Sequence, residues 1–202
     1  MKKLLIPVVT GMIMTLTLNA QTQYKAGDVA TDFSLKNVKG EIVSLSQFDA
    51  ARGFIVAFWC NTCPVVKKYE QRLIDLNKEF AGKGYPVIAI NSNDKGVSPG
   101  DSYDEMQKLV KNKKYAFEYL YDESQDVARK YGATNTPHVY LLSKKEGKLI
   151  VEYVGAIDNN ADDAQAADKN YVADAINSLL NGGKVAVAGT RAVGCSIKWR
   201  KV

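Results

Sequence analysis

Cys60 and Cys63 are three positions apart in Trp59-Cys60-Asn61-Thr62-Cys63-Pro64, and a third thiol, Cys195, lies near the far end of the 202-residue chain. Two thiols at C-x-x-C spacing can close a short-loop disulfide: one attacks an outside disulfide and the other releases the mixed-disulfide partner. Attack requires the thiolate, which is favoured at a helix N-terminus, where unpaired N–H groups and the helix dipole stabilise negative charge. Pro64 suits the first turn of such a helix, because its missing N–H would have had no partner there. Cys60 is therefore the candidate attacking thiol and Cys63 the candidate resolving thiol. The electrons reside in the cysteines, so this chemistry needs no diffusible cofactor.

The elements that must position the pair surround it. Phe54–Trp59 is an unbroken apolar run of six, which predicts a strand buried on both faces. Beyond the cysteines, Val66, Tyr69, Leu73, Leu76 and Phe80 repeat at spacings of 3 and 4, one face of an amphipathic helix that ends at Gly82 and Gly84. Pro86–Ile90 predicts a second buried strand. A polar stretch over 91–100 leads to a helix over 101–112, a strand over 117–120 and a helix over 123–131 stopped by Gly132. His138–Leu142 and Leu149–Val154 flank the turn signal Lys144-Lys-Glu-Gly147, and Lys169–Leu180 predicts a last helix. Upstream, Lys39-Gly40-Glu41 separates Asp32–Asn37 from Ile42–Leu45, which predicts a hairpin. Strands alternating with helices indicate an α/β three-layer domain.

Composition narrows the class. With 46% apolar and 24% charged residues the chain is an ordinary globular domain. The net charge of +5 includes Lys2 and Lys3. Without them it is about +3, too mild and dispersed to indicate nucleic acid. Lys2 and Lys3, the mostly apolar Leu4–Leu18 and then Asn19-Ala20-Gln21 have the plan of a secretory signal peptide, with cleavage expected after Ala20. The run falls short of the roughly 20 residues of a spanning helix, an uncleaved anchor being the alternative. Residues 1–20 are thus read as a signal peptide and 21–202 as a single domain without stable membrane association. Its compartment would be extracytoplasmic and disulfide-permissive, periplasmic in a bacterium or secreted.

A later Thr136-Pro137, just before the strand starting at His138, completes a recognisable pattern. W-C-x-x-C-P on a strand-to-helix turn with a Thr-Pro before the hairpin resembles the thioredoxin fold. That resemblance implies a central mixed sheet flanked by helices, a cis Pro137 beside the cysteines, and backbone groups around Trp59, Thr136 and Pro137 that contact a bound chain. The N-terminal hairpin and the strand and helix inserted between Cys63 and Pro137 resemble the redoxin branch. More narrowly, Cys60-Asn-Thr-Cys-Pro64, Ala89-Ile-Asn-Ser-Asn93, Asp122-Glu-Ser-Gln125, Tyr131-Gly-Ala133 and Gly194-Cys-Ser-Ile-Lys-Trp199 resemble the peroxiredoxin-like proteins of AhpC/TSA type. The expected function is extracytoplasmic thiol-disulfide exchange. The partners would be protein or small-molecule thiols and disulfides, a redox partner protein and, weakly, peroxides.

Departures from these families shape the expectation. Counting back from Cys63 places Val56 and Cys60 where peroxiredoxins have Pro and Thr, counting back from Cys60 places Gly53 and Ala57 there, and Phe54 occupies the position of thioredoxin's buried acid. Relatives of the narrower group often carry histidine where this chain has Thr62, so the Cys60 thiolate is expected to rely on the helix end. His138, the only histidine, is either a tuner of Cys60, a metal ligand or a structural residue. Cys195 is either reactive or structural. Dithiol exchange needs no third thiol, so Cys195 is expected to be unpaired in the oxidised protein, either in the core or near the active site. A competing class is metal binding: Cys60, Cys63, Cys195 and His138 are an inventory sufficient for zinc. A C-x-x-C with a distant histidine also resembles copper chaperones, although those use C-x-x-x-C spacing.

Overall fold

The computed structural model describes residues 23–201, so the expected signal segment lies outside the described residues. The elements run β1 (Val29–Ala30), β2 (Ser34–Asn37), β3 (Ile42–Ser44), β4 (Gly53–Trp59), α1 (Pro64–Phe80), β5 (Val87–Asn91), α2 (Tyr103–Lys113), β6 (Glu118–Tyr121), α3 (Asp126–Tyr131), β7 (Asn135–Thr136), β8 (His138–Lys145), β9 (Lys148–Gly155), α4 (Tyr171–Leu180) and β10 (Cys195–Ser196). Eight strands form a mixed sheet in the order β1-β9-β8-β4-β5-β6-β2-β3, while β7 and β10 make a separate antiparallel pair. β4, β5 and β6 are parallel neighbours, and β8 runs antiparallel to β4. No helix among the described residues is long and apolar enough to cross a membrane.

Strand β4 shows how the apolar run builds two cores. Ile55, Ala57 and Trp59 face a cluster with Val66, Tyr69 and Leu73 of α1, Met106 of α2 and Val172 and Ile176 of α4. Phe54, Val56 and Phe58 alternate to the other face and join Leu45, from the turn after β3, and Ala128 and Tyr131 of α3. Three helices on one face and one on the other give the three-layer α/β architecture. Each fully buried Leu, Ile or Phe contributes about 2 kcal/mol of transfer free energy. The core thus fixes the strand end at Trp59 and the helix start at Pro64, and with them the cysteines between.

The main elements lie where the sequence places them, with local differences. The β8–β9 turn is tighter than expected: Glu146 and Gly147 both take positive φ, so the strands meet across two residues. Helix α2 begins at Tyr103 rather than Asp101, because Pro99–Asp101 forms a separate 3-10 turn and the Ser102 hydroxyl accepts the Glu105 N–H. The first strand of the N-terminal hairpin starts at Ser34; Asp32 before it instead accepts the Leu45 and Ser46 N–H groups at 2.8 and 3.0 Å. Three strands of two residues each, β1, β7 and β10, carry no periodicity that a sequence reading can detect.

Candidate functional site

Both sulfurs of the C-x-x-C pair converge on Thr136. Cys60 Sγ is hydrogen-bonded to Thr136 Oγ1 at 3.2 Å, and the Cys63 thiol donates to the Thr136 carbonyl at 3.4 Å. The Thr136–Pro137 peptide bond is cis, as the resemblance implies. Cys60 and Cys63 are only 1% and 3% exposed, while Cys195 is partly exposed. All three are free thiols.

The helix end serves Cys63 rather than Cys60. Cys63 is the N-cap of α1, followed by Pro64 at the first helical position. Its sulfur makes no formal cap hydrogen bond, yet the Val65 and Val66 N–H groups are near enough to favour its thiolate. The Cys195 thiol and backbone N–H favour it too, and together these outweigh burial and hold the Cys63 pKa below the usual thiol value. Cys60 is pushed up to about 12, chiefly by burial, with the charge of Asp101 adding to the rise. Thr136 and the Cys63 N–H oppose that rise without cancelling it. The expectation that the helix end would activate Cys60 is thus not met in this reduced state, because the helix starts one residue after the second cysteine.

Asp101 was not legible as a site residue. It is fully buried and accepts the Asn61 and Thr62 N–H groups at 2.7 and 3.1 Å, the Thr62 hydroxyl at 2.8 Å, the Ser98 hydroxyl at 2.6 Å and the Asn93 amide at 2.8 Å. It therefore ties down the two residues between the cysteines, and Thr62 fills a structural role beside it. A lone aspartate after Pro99-Gly100 carries no motif, and the sequence reading placed it only at the start of a helix.

The remaining candidates separate. Trp59, expected near a substrate, is 1% exposed and packed in the core behind the cysteines. His138 meets Gln23 at 3.1 Å and Tyr140 at 4.8 Å between ring centroids, and burial drives its pKa down to about 4. With Gln23, Asn135, Arg191 and Gly194 it lines a cavity of about 580 Å³ that no cysteine lines. Among the described residues no group of three or more His, Cys, Asp or Glu side chains is arranged to hold a metal ion.

The C-terminal tail closes the site. Cys195 pairs with Thr136 and Ser196 with Asn135 in the antiparallel β10–β7 pair. The Ile197 N–H donates to the Thr134 carbonyl at 2.9 Å and the Asn135 amide to the Gly194 carbonyl at 3.1 Å. Further on, the Lys198 N–H donates to Asn93 Oδ1 at 2.8 Å, the Gln125 amide to the Lys198 carbonyl at 2.9 Å, and Arg200 pairs with Asp94 at 2.9 Å. The segments around Asn93 and Gln125 are therefore struts for the tail.

Comparisons with known proteins agree with this architecture. The AhpC/TSA family profile matches residues 26–154. A crystal structure of an uncharacterized conserved protein from Geobacillus kaustophilus is similar at 34% identity and a TM-score of 0.80, over 88% of this chain and 93% of that one. The thioredoxin domain of a thiol-disulfide oxidoreductase from Bacteroides vulgatus is similar in fold, with a TM-score of 0.52 at 22% identity over 64% of this chain and 88% of that one. The thiol-disulfide oxidoreductase ResA of Halalkalibacterium halodurans is 23% identical over 66% of this chain and 70% of its own length. Matched over more than half of its length and built on a thioredoxin-like α/β fold, this chain belongs to the AhpC/TSA family.

Proposed function

We propose that this protein is an extracytoplasmic thiol-disulfide oxidoreductase whose Cys60 and Cys63 cycle between dithiol and disulfide. The observation that carries the reading is the meeting of both sulfurs on Thr136, at 3.2 and 3.4 Å, at the junction of a buried strand and a helix N-terminus. The family, and relatives named thiol-disulfide oxidoreductases, support it. The extracytoplasmic part rests on the basic and apolar layout of residues 1–20.

The chemistry follows from the stabilised thiolate. A Cys63 thiolate leaves readily from a mixed or internal disulfide, since a leaving thiol of low pKa departs faster. The neutral Cys60 thiol, with its pKa near 12, gives up its proton only to a base as it attacks, and its sulfur takes a proton up when it is expelled from a disulfide. Thr136, on both sulfurs, keeps them within reach of one another. The substrates are thiols and disulfides of a protein or small molecule. Peroxide reduction is expected to be slow, because Val56 lies at 0% exposure on the face away from α1 and Cys60 stands at the threonine position.

Turnover of a small-molecule disulfide at the expense of an added dithiol tests the reading. Wild-type protein should turn over, Cys63→Ser should lose that turnover and Cys60→Ser should keep only a residual rate. Full activity in both variants would overturn it, and hydrogen peroxide reduced as fast as the disulfide would overturn the peroxide expectation.

A further inference from the structure

Three thiols, not two, gather at Thr136. Cys195 is held opposite Thr136 by β-pairing, and the Cys63 sulfur lies 3.4 Å from the carbonyl oxygen of that same threonine. Cys195 packs on the cluster that contains Cys60 and Cys63, yet it alone of the three is partly exposed. The tail around it is fastened on both sides of the cysteine, by Gly194 to Asn135 and by Ile197, Lys198 and Arg200 to Thr134, Asn93 and Asp94. While β10 pairs with Thr136, that edge of the Thr136 backbone is closed to an incoming polypeptide.

We propose that Cys195 is a third redox-active thiol that exchanges with the Cys60–Cys63 disulfide by bonding to Cys63, and so carries electrons between the buried pair and outside thiols. This rests on the dithiol-exchange reading above. In the first step Cys195, whose thiol burial raises to about 11, loses its proton to a base in solution and its sulfur attacks Cys63 Sγ; the Cys63–Cys195 bond forms, the Cys60–Cys63 bond breaks, and Cys60 leaves and takes up a proton equivalent to the one Cys195 lost. No net oxidation occurs. In the second step an outside thiolate attacks the partly exposed Cys195 sulfur and expels Cys63 as thiolate. A second thiol of the same reductant then releases Cys195, so a dithiol is oxidised and the protein disulfide reduced by two electrons. The Val65 and Val66 N–H groups that favour a Cys63 thiolate make it the good leaving group that the second step needs.

The test uses full-length mature protein with Cys60→Ser, so that Cys63 and Cys195 are the remaining thiols. With hydroxyethyl disulfide as oxidant, Cys63 first forms a mixed disulfide, which Cys195 resolves by expelling mercaptoethanol. Non-reducing peptide mapping should find a stoichiometric intrachain Cys63–Cys195 bridge. A persistent mixed disulfide on Cys63 with Cys195 still alkylatable would overturn the proposal. A second measurement does not depend on that variant: Cys195→Ser should slow reduction of the Cys60–Cys63 disulfide by an outside dithiol by about tenfold or more. An unchanged rate would overturn the relay while leaving dithiol exchange standing. A wild-type protein that forms no Cys60–Cys63 or Cys63–Cys195 disulfide would overturn both.

Discussion

Cys195 stands across from Thr136 in an antiparallel pair, and Thr136 is the residue on which Cys60 and Cys63 both rest. The end of the chain is thereby built into the site, where a strand of two residues lies beside Cys60 and Cys63, residues only 1% and 3% exposed.

Gly194 is where that packing can be broken. A Cβ there would lie 2.1 Å from the Thr136 carbonyl oxygen and 3.0 Å from Pro137 Cδ, a clash with backbone that no rotamer relieves. Gly194→Ala should lift the tail and speed alkylation of Cys63 about tenfold, equivalent to roughly 1.4 kcal/mol of lost docking. Alkylation at the wild-type rate would show that the tail is not the shield.

The two active-site thiols should titrate on opposite sides of 9.0. Cys63 is held below that value, whereas Cys60 is raised to about 12. Thiolate absorbance in the reduced protein should therefore show an early transition that Cys60→Ser keeps and Cys63→Ser removes. Because the folded pKa of Cys60 exceeds its unfolded value, its contribution to stability is complete below pH 9.0 and is lost as pH rises toward about 12. An early transition retained in Cys63→Ser would reverse the assignment.

Asp101 couples stability to reactivity. Asp101→Asn removes the charge that helps raise Cys60 and cannot accept from all five donors, so the Cys60 pKa should fall while the fold loses about 2–4 kcal/mol. Denaturant unfolding and the pH profile of Cys60 alkylation measure the two effects. A Cys60 profile that does not move would remove Asp101 from the electrostatics of the site.

His138 should make the fold acid-sensitive. Its folded pKa of about 4 lies below the ordinary 6.5 because burial penalises the charged ring, so protonation favours unfolding. The stability it contributes is complete above pH 6.5 and is lost as pH falls toward 4, on the order of 3 kcal/mol in all. His138→Gln should flatten the stability profile over that range. A profile that keeps its slope would place the acid sensitivity elsewhere.

The sequence already showed the strand, the helix and the two cysteines, because an unbroken apolar run and a 3–4 repeat are strong local signals at Phe54–Trp59 and Val66–Phe80. Thr136-Pro137 was legible through its resemblance. What stayed hidden was long-range: Asp101 reaches Asn61 and Thr62 across about 40 positions, and the β10–β7 pair brings together residues about 60 apart, each with only two residues of strand. The helix boundary mattered most, since a shift of three residues moves the stabilising N–H groups from Cys60 to Cys63.

The most direct measurement is a redox titration of the mature protein against a dithiol buffer, with each poise quenched by alkylation and every cysteine quantified by mass spectrometry. One two-electron transition is expected, in which two thiols per chain disappear together and Cys63 belongs to every intrachain bridge. Three thiols that remain alkylatable at the oxidising limit, or bridges that omit Cys63, would contradict the account.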